Sequence, residues 1–233
     1  MIRKALTFLL VLNLTACAEL QQVVNQLPQG GLSQAEIAAG LRQALDFGID
    51  KQVTKLTQTD GFYKNELVKI LLPEELHKVD KALRDIGLSK LADEGLKVLN
   101  RAAEDAVKEA TPIFIDAVKG ITFADAKSIL LGNDDAATQY LTSKTQTALY
   151  DKFHPVIKNS FSKVGADQIW ENLINKYNNI PFTADVNPDL TDYVTNEALE
   201  GVYTMIAVEE KEIRTKIASR TTDLLRKVFA IQD

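Results

Sequence analysis

The chain has 233 residues, with 27 Lys and Arg against 32 Asp and Glu and a net charge of −5. That length suffices for one domain whose core folds without covalent staples, and the acid excess excludes a protein built to neutralise nucleic-acid phosphates. One cysteine in the whole chain excludes an internal disulfide.

The first stretch reads as an export signal. Arg3 and Lys4 give a cationic start, and an apolar run follows from Ala5 to Ala16, interrupted by Asn13. The run falls short of the roughly 20 apolar residues a bilayer span needs, so it is a removable address over residues 1–16. Leu14-Thr15-Ala16-Cys17 closes it in the form of a bacterial lipobox, in which the Cys17 thiol takes a diacylglyceryl group and becomes the acylated amino terminus. Three acyl chains, each contributing about 0.8 kcal/mol per buried CH₂, make such an anchor permanent. The alternative is an ordinary signal with a chance cysteine. Ala18 follows where enterobacterial sorting reads Asp as inner-membrane retention, so the expected place is the periplasmic face of the outer membrane. Removing the leader leaves 25 basic residues against 32 acidic, a net −7. Residues 17–31, rich in Gln, Asn, Pro and Gly, read as the lipidated Cys and a flexible tether.

From residue 32 to 233 the pattern is helical. Ser33-Gln34-Ala35-Glu36 fits a capping box ahead of Ile37, Leu41, Ala44, Leu45, Ile49, Val53 and Leu56 at spacings of three and four. Residues 67–72 form a short apolar run stopped by Pro73, which predicts an extended piece; residues 182–186 offer a conceivable pairing partner. Pro73 suits the start of a helix carrying Leu76, Val79, Leu83 and Ile86. An alanine-rich helix follows from about Ser89 to Ala110, with Leu91, Val98, Leu99, Ala102, Ala106 and Val107 inward. Pro112 separates a shorter piece, and Thr122 with Asp125 caps another. Next comes a segment with Ala137, Tyr140, Leu141, Ala148 and Leu149 on its apolar face, which Pro155 is expected to break or kink before Val156, Ile157, Phe161 and Val164. Ile169 to Tyr177 predicts a further helix, and residues 178–188 a loop. A long helix from about Asp192 places Ala198, Val202, Met205, Ile206, Ile213 and Ile217 inward, with Glu210–Arg214 and Glu212–Lys216 as i,i+4 pairs outside. Leu224, Leu225, Val228 and Phe229 end the chain in a terminal helix. The expectation is an all-α, single bundle-like domain of about eight to ten helices, with one minor strand pair as its only β element.

Five strings in order, Thr59-Asp60-Gly61-Phe62-Tyr63, Leu99-Asn100-Arg101-Ala102-Ala103-Glu104, Asp134-Asp135-Ala136-Ala137-Thr138, Asp192-Tyr193-Val194-Thr195 and Arg220-Thr221-Thr222-Asp223-Leu224-Leu225, resemble the bacterial domain-of-unknown-function family 4197. The resemblance covers about residues 32–229. It implies a signal-bearing, mostly helical envelope protein folding as one unit, and it carries no activity.

The residues themselves show no nucleophile elbow, phosphate loop, dinucleotide fingerprint or metal spacing. His77 and His154 are the only histidines, and each reads as a solvated side chain. Neither a catalytic residue nor a cofactor is expected. Asp134 and Asp135 are adjacent carboxylates at a turn, able either to hold a cation or to cap the helix that follows. Asp60, Tyr63, Arg101, Asp192, Arg220 and Thr222 form a second polar set, in which Arg101, lying among alanines, calls for a carboxylate from Asp60 or Asp192. These groups suit either structural ion pairs or a polar groove for a small anionic ligand. Two functions follow: a non-enzymatic lipoprotein that binds an envelope protein, or a ligand-binding or hydrolytic domain using a groove near Asp60, Arg101 and Asp134.

Overall fold

The computed structural model describes residues 32–85, 87, 89–165, 175 and 189–233. The signal, Cys17, the tether, the helix expected over residues 169–177 except Asn175, the loop over 178–188 and the strand expected over 182–186 lie outside the described residues.

Helix α1 (Gln34–Leu56) starts where the sequence places it. The Ser33 hydroxyl accepts from the Glu36 amide at 3.2 Å, and the Ser33 amide donates to the Glu36 carboxylate at 2.7 Å, so two otherwise unsatisfied donors are closed reciprocally. Helices α2 (His77–Asp85), α3 (Ser89–Val107), α4 (Ala110–Lys119), α5 (Phe123–Leu130), α6 (Ala136–Lys163), α7 (Leu190–Thr215) and α8 (Asp223–Phe229) follow. The all-α class expected from the sequence holds.

Three contacts fix the direction of α7 against α1. Gly48 faces Glu209, Gln52 donates to Glu209, and Phe62 and Val68 after α1 face Gly201. The two helices are therefore antiparallel. Helix α6 is antiparallel to α7 as well, because Thr138 meets Glu210, Thr145 meets Tyr203 and Tyr150 meets Asp192 in turn. Helices α3 and α4 carry the chain back from Asp60 to Ile121, whose carbonyl accepts from Arg42 on α1. The result is a four-membered bundle of α1, α3 with α4, α6 and α7, with α5 and α8 closing the end where α1 begins. One continuous apolar core joins all of these helices. Ala102, Ala103, Ala106 and Ala110 are buried along the α3–α4 run, where small side chains allow close approach, and Phe114 meets Tyr203 edge-on at 6.0 Å.

Several sequence expectations need correction. Residues 67 and 68 lie in a turn held by the Asn65 carbonyl rather than in an extended piece, and over residues 69–72 the Asn100 side chain bonds the backbone as a neighbouring strand would. Its Oδ1 accepts from the Ile70 amide and its Nδ2 donates to the Ile70 carbonyl, both at 2.8 Å. Pro155 stands inside a continuous 28-residue α6, because Leu149, Phe153, Ile157 and Phe161 hold one buried face across it. Ile217 is exposed rather than inward: α7 ends at Thr215 and the chain turns away. Ala148 and Val164 are also exposed. Glu210 and Arg214, expected outside, are buried.

Candidate functional site

The polar set centres on Arg101, which α3 brings beside the turn that ends α1. Its Nη2 donates to Asp60 at 2.6 Å and its Nη1 to Glu104 at 2.5 Å. Lys64 closes the row on Asp60 at 2.9 Å, and the buried Glu104 also accepts from the Phe62 amide at 3.1 Å. Asp60 reaches this position from a left-handed backbone, φ 68°, which Asp tolerates better than most residues. Gly61 is required next to it, since a Cβ there would collide with the Leu56 and Lys55 carbonyl oxygens. The Lys64 hydrogen bond, with the charges of Arg101, Lys64 and Lys97, holds the Asp60 carboxyl below the usual carboxylate range despite partial desolvation. Positive and negative groups thus alternate from Lys64 to Glu104, and both terminal nitrogens of Arg101 are engaged.

An open groove of about 450 Å³ runs past this row, between α3 and the end of α6. Glu94, Lys97, Arg101, Asp105, Lys163 and Val164 are among its walls. Its charges are mixed, so it selects no one sign of ligand. A second groove of similar size, about 460 Å³, lies between α6 and α7 and carries Asp135, Thr142, Gln146, Asn196, Glu200 and Thr204.

The other candidates go elsewhere. Tyr63 offers its ring to the Lys69 ammonium at 4.9 Å. Asp192 accepts from the Tyr150 hydroxyl at 2.6 Å, and that hydrogen bond raises the Tyr150 pKa. Tyr150 in turn lies 5.6 Å from the His154 ring. Asp134 and Asp135 stand exposed at the start of α6, whereas the Arg101 groove touches Ser160 at its far end, about 37 Å away at 1.5 Å per residue. Thr222 caps α8 and also donates to Gln43 at 2.8 Å. Arg220 is almost wholly buried at the end of α7, donating to the carbonyls of Ile213 (3.0 Å) and Arg214 (2.9 Å) and to both Asp233 oxygens at 2.8 Å. Of the residues singled out in the sequence, the structure therefore joins Asp60 with Arg101, chooses Asp60 over Asp192 as the arginine's partner, and separates the rest.

Neither aspartate side chain caps α6. Asp135 occupies the cap position without a side-chain hydrogen bond to the helix end. Glu210 does the work from across the core: its carboxylate accepts from the Ala137 and Thr138 amides and the Thr138 hydroxyl, each at 2.8 Å. Arg214, one turn on, binds Glu210 and donates to the Ile129 and Leu130 carbonyls at the end of α5. An anion at a helix N-terminus and a cation at a helix C-terminus are the favoured signs. The i,i+4 spacing of this pair is visible in the sequence and its burial is not; Glu104 stands at i+3 from Arg101, a signal of the pair they form, whereas the bond of Asn100 to Ile70 has no local signature.

Among the described residues no group of three or more His, Cys, Asp or Glu side chains could hold a metal ion, and no helix is long and apolar enough to cross a membrane. Fold and site together define an all-α bundle in which interior charges bind helix ends and turns. The model of the family described as "Protein of unknown function (DUF4197)" matches residues 31–230, and the chain belongs to that family. No curated protein and no solved structure matches it.

Proposed function

We propose that this protein is a lipoprotein, held through acylated Cys17 on the periplasmic face of the outer membrane, whose helical domain binds a protein partner in the envelope without catalysing a reaction. The anchor reading is supported by the lone cysteine standing at the end of Leu14-Thr15-Ala16-Cys17, behind a basic and then apolar leader. The observation that carries the binding reading is the fate of the polar candidates. Arg101 is held by Asp60 and Glu104, Arg220 by Asp233, and Asp192 accepts from Tyr150. Groups so engaged stabilise the fold and are poorly placed to move protons or grip a substrate. The groove beside Arg101 supports a second reading, a site for a small zwitterionic ligand.

Growth with radioactive palmitate tests the anchor. The wild-type chain is expected to take up label and sediment with membranes, and Cys17→Ser to do neither; continued labelling of Cys17→Ser sinks the assignment.

A further inference from the structure

The chain between α1 and α2 has an inward row and an outward row. Val68, Ile70 and Leu72 are buried, while Leu67 and Leu71 are 64% and 53% exposed. The inward row is pinned. Ile70 is bonded on both its amide and its carbonyl by Asn100, and a Cβ at Gly201 would lie 3.3 Å from Val68. The Tyr193 hydroxyl donates to the Leu71 carbonyl at 3.0 Å. The backbone is thus clamped while two leucine side chains are left in water, an arrangement that burial alone does not favour.

Helix α7 supplies the second observation. Tyr193 touches this segment at Leu71, and Gly201 touches it at Phe62 and Val68. Glu197 stands one turn from each, on the same face of α7. It is half-buried, and it makes no hydrogen bond or ion pair with a described residue. Burial first, and the charge of Glu200 one turn on, push its pKa up. Lys69, the one cation between the two leucines, lies over the Tyr63 ring and pairs with neither acid. A desolvated carboxylate with a like-charged neighbour and no counter-ion destabilises the free domain. A cation brought from outside would reverse that.

We propose that Leu67, Leu71 and Glu197 form a docking surface for a protein segment presenting apolar side chains next to a lysine or arginine. The leucines supply the apolar contact, and Glu197 receives the cation in a setting already partly freed of water, where a charge-assisted hydrogen bond is strong. The surface lies at the end of the bundle away from the start of α1, some 34 Å along a 23-residue helix. On the lipid-anchor reading, on which it rests, the surface is at the end of α1 farther along the chain from the anchor, open to a partner in the envelope.

The test is photo-crosslinking in intact cells, using the full chain with p-benzoylphenylalanine placed singly at positions 67 and 71. Positions 131 and 217, exposed apolar sites at the other end of the bundle, serve as comparison. The expected result is one discrete protein adduct from 67 and from 71, reduced roughly tenfold by Glu197→Lys and less by Glu197→Gln, as for loss of a hydrogen bond to a charged group. Both variants are checked for an unchanged helical circular dichroism spectrum; if the lysine variant fails to fold, the glutamine variant decides. An adduct indifferent to Glu197, an adduct of twice the chain's mass, or a phospholipid adduct overturns the proposal. Adducts from 131 and 217 alone overturn this surface and leave the interaction reading standing, whereas no adduct from any of the four positions sinks both.

Discussion

Glu210 and Arg214 have side chains only 5% and 4% exposed, and each satisfies a different helix end. Desolvating two charges is expensive, and here the cost is offset by three donors at the start of α6 and two carbonyls at the end of α5. Removing one partner leaves the other buried and unpaired. Glu210→Ala is therefore expected to lower unfolding stability by about 3–5 kcal/mol in a urea titration. A loss below about 1 kcal/mol would mean that the pair contributes little. Glu197 behaves in the opposite sense. Its folded-state pKa lies above the 4.5 of a free glutamate, so the folded chain holds that proton more tightly than the unfolded chain. Stability from this group falls as pH rises from the unfolded value through the raised folded one. The charge acting on it is that of Glu200 on its own helix; Lys69, on the segment that meets α7, is turned onto Tyr63. Glu197→Gln should accordingly stabilise the chain by roughly 0.5–1 kcal/mol at pH 7, with solvent screening keeping the gain small, and by nothing near pH 4. Equal effects at both pH values would remove the carboxylate as the cause.

At the scale of elements, the helices owe their starts to local chemistry and their continuity to the core. The capping boxes at Ser33–Glu36 and Thr122–Asp125 form as their spacing dictates, because each uses only residues three apart. Helix α6 shows the other influence. Pro155 cannot donate to the Asp151 carbonyl, yet burial of Phe153 and Ile157 on either side keeps the helix in one piece. Pro155 is itself exposed, so Pro155→Ala is expected to restore the missing hydrogen bond and raise stability by about 1–3 kcal/mol in the same titration. Destabilisation would show instead that the proline's local geometry is needed to set Tyr150 against Asp192 and His154. The segment over residues 67–72 was legible as apolar, though its first two residues turn rather than extend. That its hydrogen-bonding neighbour would be one asparagine side chain on α3 was not, since a buried amide and a solvated one have the same sequence signature.

At the scale of the molecule, α1 and α6 run one way and α3, α4 and α7 the other around a single core made within residues 32–233. Among the described residues that core begins at Ile37, twenty positions after Cys17. It follows that the Cys17→Ser chain, once released from membranes, should keep one cooperative unfolding transition with the midpoint of the anchored form; a lower midpoint would show that the anchor also supports the fold. The bundle also accounts for the scatter of the polar candidates. Asp134 and Arg101 sit near opposite ends of α6, so a groove containing both is excluded by length alone.

The sequence by itself determined the helical class, the helix starts and the demand of Arg101 for a carboxylate. These depend on periodicity, on residues three or four apart, or on the cost of an unpaired charge, all of which are local. Only the tertiary structure decided that Asp60 would join Glu104 on Arg101, that Glu210 and Arg214 would turn inward to bind two other helices, and that Glu197 would stand half-buried on the face of α7 that meets the segment after α1. Each of these depends on which helix lies opposite. A stripe of apolar residues says that a helix has a buried face, and the identity of the neighbour covering that face is settled only when the whole core packs.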